Sequence, residues 1–359
     1  MRLEHYCIFM ILVVGMTIAQ SNNVCRTPNY ENGICIDIRD CQKLRLLLQS
    51  SINESNIIFL QKSICGFEGT SSKVCCPFDS LISENKLPSP TTCGQRKVAS
   101  FRMIGGDRSE LGAWPWMVAL GYINLNIKNN TLQWLCSGTL ITNSYVLTSA
   151  QCVKNRDNIR LTTARLGELN LDPNVNDGAT PLDVPIEHVI IHEEYNTEGV
   201  HNDIALLKLN QSVIYTELIQ PICLPITSDV QNINLTATML FVAGWGSTDP
   251  TSYLSEPRNT NLMEVQIPIT NTTECKQLYE KNNTVIDDRI ILCAGHSMGG
   301  KDACRGDSGG PLMLPIKNQY YFMGIVSYGP KICGELGHPG VYTRVSYFVD
   351  WITMKLRNS

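Results

Sequence analysis

From residue 103 onward, short apolar runs alternate with turns rich in glycine, proline and asparagine. Each run is dominated by β-branched and aromatic residues, which favour strands over helices. The clearest runs are Trp116–Tyr122, Gly138–Thr148, Val189–His192, Ile204–Leu209, Met239–Ala243 and Tyr320–Ser327. Many short strands separated by turns predict an all-β domain for this part of the chain.

The C-terminal end follows a different pattern. Its apolar residues recur at intervals of three and four, the spacing that brings side chains onto one face of a helix. These residues are Val345, Phe348, Val349, Ile352 and Leu356. We therefore predict that the chain closes with an amphipathic helix.

The N-terminal end predicts secretion. Arg2 precedes a largely apolar run from Cys7 to Ile18, and the small residue Ala19 follows this run. A basic residue, a short apolar stretch and small residues at its end are typical of a cleaved signal peptide, which we assign to residues 1–19. The alternative, a membrane anchor, needs about 20 apolar residues, and the charged residues near the start leave too few. We expect an extracellular protein without a membrane partner.

Composition supports this assignment. The 359 residues indicate two domains, and the net charge of −4 gives no basic surface for nucleic acid. Of the 15 cysteines, Cys7 leaves with the signal peptide, so an even number remains for disulfides. Metal binding is the alternative, but no Cys-x-x-Cys repeat accompanies a histidine cluster. Glycosylation sequons occur at Asn53, Asn129, Asn210, Asn234, Asn271 and Asn282.

Residues 25–76 are a compact cysteine-rich module. So short a segment cannot bury a large core, so we expect disulfides to hold it together, with fifteen pairings open from the sequence alone. A helix from about Asp40 to Gln49 is predicted, with Leu44, Leu47 and Leu48 on one side. The module contains Cys25, Cys35, Cys41, Cys65, Cys75 and Cys76. Residues 77–102 contain prolines and no apolar periodicity, which predicts a linker and activation segment.

A glycine-rich stretch contains the most specific chemistry. Ser308 has Gly306 before it and Gly309 after it, so the backbone can turn sharply and direct its N–H groups at a substrate carbonyl. The N–H groups of Gly306 and Ser308 are candidates for an oxyanion hole. Asp307 is available to bind a buried amine. A serine nucleophile also needs a base, which must come from elsewhere in the chain.

The stretch Lys301–Pro311 resembles the trypsin/chymotrypsin family of serine proteases. The resemblance extends from residue 103 to residue 359 and implies two packed six-stranded antiparallel β-barrels with the active site between them. Asp203, within His201–Leu207, matches the family's acid, which orients the catalytic histidine. That histidine follows Leu-Thr-Ala-Ala in the family, whereas here Leu147–Ala150 is followed by Gln151. An amide has no usable basicity, and none of the six histidines occupies this position.

The same resemblance implies further site residues. Asp302 matches the acid at the base of a pocket for arginine or lysine, with Gly329 and Gly340 as its small walls. Arg102 and Met103 match an activation cleavage site. After cleavage between them, the new α-amine of Met103 would pair with Asp307. Glu168 resembles part of a calcium loop found in some relatives. The implied bridges are Cys93–Cys223, Cys136–Cys152, Cys275–Cys293 and Cys304–Cys333.

The cysteine-rich module resembles the clip domain of arthropod proteases. The resemblance rests on Cys25–Pro28, on Gly33 before Cys35 and on Cys75–Pro77. It implies three bridges: Cys25–Cys75, Cys35–Cys65 and Cys41–Cys76. Clip domains bind partners and are not themselves catalytic. The expected organisation is a signal peptide (1–19), a clip domain (25–76), a linker (77–102) and a protease domain (103–359).

These features together predict a secreted serine protease homologue that is not an enzyme, because Gln151 replaces the base. The resemblance implies a cofactor or regulator in an extracellular cascade, such as arthropod melanisation and immunity, or a venom role. Expected partners are extracellular proteases, their substrates or inhibitors, and prophenoloxidase-type proteins. No cofactor is required, and calcium at Glu168 is a further expectation. The alternatives are an active endopeptidase cleaving after arginine or lysine, and a decoy that binds arginine-containing loops.

Overall fold

The structure is a computed structural model that divides into two compact units, residues 1–77 and 78–359. It describes residues 24–38, 41, 43–44, 47, 54–68, 71–77, 87–89, 91–96, 106–127, 131–154, 158–196, 201–236, 238–247, 259–280, 287, 289–296, 298–300, 302–330 and 332–358. Several predicted features therefore lie outside the described residues: the signal peptide, Arg102, Met103, and the sequons at Asn53, Asn129 and Asn282.

The first unit is a small antiparallel sheet held by disulfides. Its strands are β1 (Val24–Arg26), β2 (Asn32–Asp37), β3 (Ile64–Glu68) and β4 (Ser71–Pro77), in the order β1-β2-β4-β3. Its bridges are Cys25–Cys75, Cys35–Cys65 and Cys41–Cys76. Few side chains are fully buried, so these covalent links take the place of a large core.

The helices of the first unit differ from the prediction. A helix at Glu54–Lys62, which the sequence pattern did not predict, leads into β3. It lacks a clear apolar face, since Ile57 and Ile58 are both exposed. Most of the helix predicted at residues 40–49 lies outside the described residues, although Leu44 and Leu47 are helical and Leu44 is fully buried.

Six strands of the second unit form a closed barrel. They are β6 (Met117–Asn124), β7 (Leu132–Leu140), β8 (Tyr145–Thr148), β9 (Ile159–Leu166), β10 (Leu182–Ile191) and β11 (Ala205–Leu209), in the order β10-β11-β8-β7-β6-β9. The run Gly138–Thr148, predicted as one strand, is divided between β7 and β8. The polar pair Asn143 and Ser144 occupies the turn between them, closed by an N–H bond from Ile141 to the Tyr145 carbonyl at 3.0 Å.

The remaining strands form the second sheet of the predicted trypsin-like fold, which is a half-barrel. They are β5 (Asp107–Arg108), β12 (Met239–Gly244), β13 (Met263–Pro268), β14 (Ile291–Ala294), β15 (Pro311–Ile316), β16 (Gln319–Tyr328) and β17 (Gly340–Arg344). Their order is β14-β17-β16-β15-β12-β13-β5. Strand β14, at one end of this order, meets β13, next to the other end, through an isolated bridge between Ile269 and Ala294.

The C-terminal helix, Val345–Asn358, confirms the helical periodicity. All five predicted apolar residues are at most 2% exposed, so the stripe packs into the core of the unit. Shorter helices occur at Ala150–Val153, Ser228–Gln231 and Thr272–Glu280. None of the described helices has both the length and the apolar character that a membrane span needs.

Four bridges hold the second unit, and they are the pairs that the family resemblance implies. They join Cys93 to Cys223, Cys136 to Cys152, Cys275 to Cys293 and Cys304 to Cys333. Two of them lie beside the expected site, since Cys152 follows Gln151 and Cys304 precedes the Ser308 loop.

Candidate active site

Asp203 is a fully buried acid in the loop before β11. Its Oδ1 accepts the backbone N–H of Gln151 at 2.8 Å, and its Oδ2 accepts the Ser327 hydroxyl at 2.5 Å. Thr343 Oγ1 donates to the Asp203 main-chain oxygen at 2.8 Å, which ties the loop to β17. Burial raises the pKa of Asp203, and the hydrogen bonds from Ser327 and Gln151 counteract part of this rise.

Gln151 lies in the short helix Ala150–Val153 and contacts the same acid through its side chain. Its amide Nε2 donates to Asp203 Oδ2 at 3.0 Å and to the main-chain oxygen of Ser327. Both hydrogens of the amide are therefore occupied. This arrangement holds Asp203 in place but supplies no group that could remove a proton from a hydroxyl.

Ser308 is positioned by contacts to the closed barrel. Its main-chain oxygen accepts the N–H of Ser137 at 2.9 Å and lies 3.4 Å from the sulfur of Cys152, the residue after Gln151. The loop is forced into this position at Gly309, which has a φ of +82°. A Cβ there would lie 2.1 Å from Thr148 Oγ1, so only glycine permits the approach.

The polar groups of this loop are available to a ligand. Within the described part of the chain, the Ser308 hydroxyl has no hydrogen-bond partner, and the N–H groups of Gly306 and Ser308 donate to no acceptor. Gly306 has a φ of +105°, a conformation that favours glycine. Two N–H groups without acceptors are what an oxyanion hole requires, and here they lie beside the hydroxyl of the candidate nucleophile.

A cavity of about 430 Å³ adjoins the loop, and Asp302 is one of its lining residues. Asp302 also accepts the N–H of Ala303 at 2.8 Å. Burial is the main cause that raises its pKa to about 7, and the nearby Asp307 charge adds to the rise. Gly340 lies against the carboxylate, since a Cβ there would be 3.0 Å from Asp302 Oδ1, whereas a Cβ on Gly329 would point into open space.

Asp307 lines the same cavity and is 9% exposed. Its two carboxylate oxygens accept the N–H groups of Gly246 and Cys304, each at 2.8 Å. No cation among the described residues pairs with it, and burial raises its pKa. A Cβ on Gly244 would lie 2.0 Å from its carboxylate. Among the described residues, neither Asp302 nor Asp307 has a positive partner, so the cavity suits a cationic ligand.

The acidic loop around Glu168 has a cation of its own. Arg165 donates to Glu168 Oε2 at 3.3 Å, binds Asp183 through two nitrogens at 2.7 Å, and stacks 4.5 Å from the ring of Trp134. Nearby, Asp177 has a buried Oδ2 without a hydrogen-bond partner. Among the described residues, no group of three or more His, Cys, Asp or Glu converges on one point.

The remaining predicted features divide clearly. The sequons at Asn210, Asn234 and Asn271 are exposed. No histidine in the described ranges hydrogen-bonds to Asp203 or Ser308, and His192 is instead packed between the rings of Phe348 and Trp351, with centroids 5.3 and 5.2 Å away.

Three residues with clear roles in these contacts were not singled out from the sequence. They are Ser327, which donates to Asp203, Arg165, which pairs with Glu168, and Glu264, a buried acid in β13. Only Glu264 gives a local signal, as an acid within a largely apolar strand. The partner of Ser327 lies 124 residues away, so no local pattern could reveal that contact.

The trypsin family model matches residues 103–352, and the model of the regulatory CLIP domain of proteinases matches residues 25–76. The chain therefore belongs to the trypsin family of serine proteases and carries a regulatory clip domain.

Named relatives extend this comparison. The chain is 42% identical to the venom serine protease Bi-VSP of Bombus ignitus, over 91% of this chain and 90% of the relative. It is 36% identical to phenoloxidase-activating factor 3 of Holotrichia diomphalia, over 93% of each. Among solved structures, it resembles the Drosophila Grass clip serine protease of the Toll pathway, with a TM-score of 0.66 and 30% identity over 93% of this chain and 97% of that one.

Proposed function

We propose that this clip-domain protein is a catalytically inactive serine protease homologue, secreted to act as a cofactor or regulator in an extracellular proteolytic cascade. The observation that carries the proposal is the Gln151 side-chain amide, which donates one hydrogen bond to Asp203 and one to the main-chain oxygen of Ser327. In this family a histidine at that position takes the proton from the serine. A neutral amide cannot accept it, so Ser308 has no base.

The expected loss is large. In a serine protease of another fold, removing the catalytic histidine costs about a millionfold in turnover, which corresponds to roughly 8 kcal/mol of transition-state stabilisation. The free N–H groups of Gly306 and Ser308 remain, and an oxyanion site alone retains some catalysis over water. A preserved scaffold without turnover is suited to binding.

The test is a matched pair of proteins, the native chain and Gln151→His. Both are cut after Arg102, the new terminus at Met103 is verified by sequencing, and hydrolysis of an arginyl peptide ester is measured. We expect no measurable hydrolysis by the native chain and clear hydrolysis by the Gln151→His variant. Adding Ser308→Ala to that variant should abolish its activity. Comparable activity in both proteins would refute the proposal. If neither protein hydrolyses the ester, a residue other than Gln151 also prevents activity, and Met103→Ile would then test the activation step.

An active endopeptidase is the alternative, and the relatives named as proteases favour it. It predicts that the native chain cleaves after arginine or lysine and that Ser308→Ala removes this activity. The decoy alternative is favoured by Asp302, whose buried carboxylate lines an open cavity. It predicts tight binding of benzamidine-type ligands without hydrolysis, and failure of such ligands to bind would eliminate it.

We also propose a zymogen that is activated by cleavage after Arg102, with the N-terminal segment kept attached by the Cys93–Cys223 bridge. The new amine of Met103 would supply the positive charge that the buried Asp307 lacks among the described residues. The division into residues 1–19, 25–76, 77–102 and 103–359 belongs to the same proposal, as does secretion. Partners are extracellular proteases, their substrates or inhibitors, including prophenoloxidase-type proteins.

We further propose that the protein requires no cofactor for binding and that the loop at Glu168 accommodates a calcium ion. The supporting observation is the buried, unpartnered Oδ2 of Asp177, whose charge acts on Glu168 and helps to raise its pKa, after the larger effect of burial. Arg165 already supplies one positive charge there. A calcium ion would add a structural link within the loop and no chemistry at Ser308.

A further inference from the structure

Glu264 is a buried acid outside the predicted catalytic residues, only 4% exposed in β13. It lines the cavity that contains Asp307. Its Oε2 accepts the Ser109 hydroxyl at 2.9 Å and the indole N–H of Trp114. Burial raises the pKa of Glu264, while the hydrogen bonds from Trp114 and Ser109 and the positive charge of Arg96 oppose this rise. Glu264 is therefore a hydrogen-bonded acid with a cation close by.

Arg96 approaches this acid from the N-terminal side of the predicted cleavage segment. Its guanidinium carbon lies 5.0 Å from the ring of Trp114 and 4.7 Å from the ring of Tyr320. Gly94 fixes the backbone just before it, with a φ of +63° and a Cβ position only 2.5 Å from the Tyr320 carbonyl oxygen. Stacking on two aromatic rings holds the guanidinium in a defined orientation.

The C-terminal side of the cleavage segment reaches the same acid. Strand β5 pairs with β13 so that Asp107 lies opposite Glu264. Two residues on, the N–H of Ser109 donates to the Leu262 carbonyl at 2.8 Å, and its hydroxyl donates to Glu264. The chain before residue 97 and the chain after residue 105 are thus both anchored around one carboxylate.

We propose that Arg96 and Glu264 are positioning residues for the new N-terminus that cleavage after Arg102 creates. This inference rests on the activation step in the proposed function. Gly106, directly before β5, lines the cavity that contains Asp307, so the position of β5 sets where the new N-terminus would enter that cavity. A slip of β5 by one residue along β13 would move its start by about 3.3 Å and reverse the faces of its side chains. The contacts to Glu264 prevent this slip.

The experiment measures whether the new amine is buried, which needs no catalytic activity. The full chain is cut after Arg102, and the reaction of the Met103 α-amine with cyanate is followed by mass spectrometry. An exposed α-amine has a pKa near 7.7–8.0 and reacts readily at neutral pH. We expect the native amine to react at least about tenfold more slowly than in Asp307→Asn, because pairing with a carboxylate raises the pKa of an amine and each unit of rise lowers its reactive neutral fraction about tenfold.

Two variants test the positioning residues directly. Glu264→Gln keeps an acceptor for Ser109 and Trp114 but removes the negative charge that faces Arg96. Arg96→Met removes the positive charge of the guanidinium while keeping an apolar stem. We expect both to raise the cyanate rate severalfold toward the Asp307→Asn value. Arg96→Lys should restore part of the protection, because it returns the charge without the planar stacking.

The outcomes separate this inference from the activation step. If the native amine is as reactive as in Asp307→Asn, the activation step itself is wrong. If the native amine is protected and Arg96→Met and Glu264→Gln are equally protected, the positioning role is wrong. Ile352→Val, a core variant in the C-terminal helix, controls for general destabilisation. Loss of protection in Ile352→Val equal to that in the two variants would also overturn the inference.

Discussion

Protonation of Asp302 should control the binding of cations to the cavity near neutral pH. Its pKa is raised to about 7, chiefly by burial and further by the charge of Asp307, against the opposing N–H bonds from Ala303 and Gly334. An amidine stays protonated in this range and pairs strongly only with the ionised carboxylate. About nine tenths of Asp302 is ionised one pH unit above its pKa and about one tenth one unit below it.

The affinity for p-aminobenzamidine should therefore fall about tenfold between pH 8 and pH 6, and about tenfold again by pH 5, each step being about 1.4 kcal/mol. Ligand fluorescence, titrated at each pH on the intact chain, measures this directly. Asp302→Asn should bind weakly with no pH dependence. Asp307→Asn should shift the midpoint to lower pH, because it removes a like charge.

A constant affinity of the native chain from pH 5 to pH 8 would refute the reasoning, since it would mean that no titration of Asp302 in this range controls binding. The same linkage has a consequence for folding. Because the folded-state pKa of Asp302 is raised above its ordinary value of 3.8, the folded chain binds the proton more tightly than the unfolded chain. Its contribution to stability therefore falls as the pH rises from about 4 to about 7 and stays low above that.

Three further predictions concern stability. Phe348→Ala should lower the free energy of unfolding in urea by about 3–5 kcal/mol, because Phe348 is only 2% exposed. Tyr347→Ala, at a site that is 51% exposed, should lower it by less than about 1 kcal/mol. Equal losses of stability in the two variants would contradict the packing described. Gly94→Ala should cost more than about 1 kcal/mol, since its φ is +63° and a Cβ would meet the Tyr320 carbonyl; an unchanged melting temperature would contradict this. Calcium at about 5 mM, above the range of extracellular sites, should raise the melting temperature of the native chain but not of Glu168→Gln, and equal shifts would exclude the proposed site.

Much of the fold was readable in the sequence because burial imposes a local pattern. The stripe from Val345 to Leu356 predicted a helix, and each of its five apolar residues is buried. The runs of β-branched residues predicted strands for a similar reason. The helix Glu54–Lys62 escaped prediction because its apolar residues do not lie on one buried face, as the exposure of Ile57 and Ile58 demonstrates.

Closure of the second sheet could not be predicted in the same way. Whether strands near the two ends of a sheet approach each other depends on the twist and register accumulated over the whole sheet. Here β13 and β14 meet at the Ile269–Ala294 bridge. No local pattern in either strand carries that information.

By itself, the sequence determined which chemical groups are present: a serine among glycines, an acid before an apolar strand, and an amide at Gln151. These are properties of single residues and short motifs. Only the tertiary structure decided how the groups are satisfied. Ser327 reaches Asp203 across 124 residues, and Ser109 reaches Glu264 across 155. Buried polar groups take whichever partner the packed chain brings within about 3 Å, and that choice depends on the whole fold.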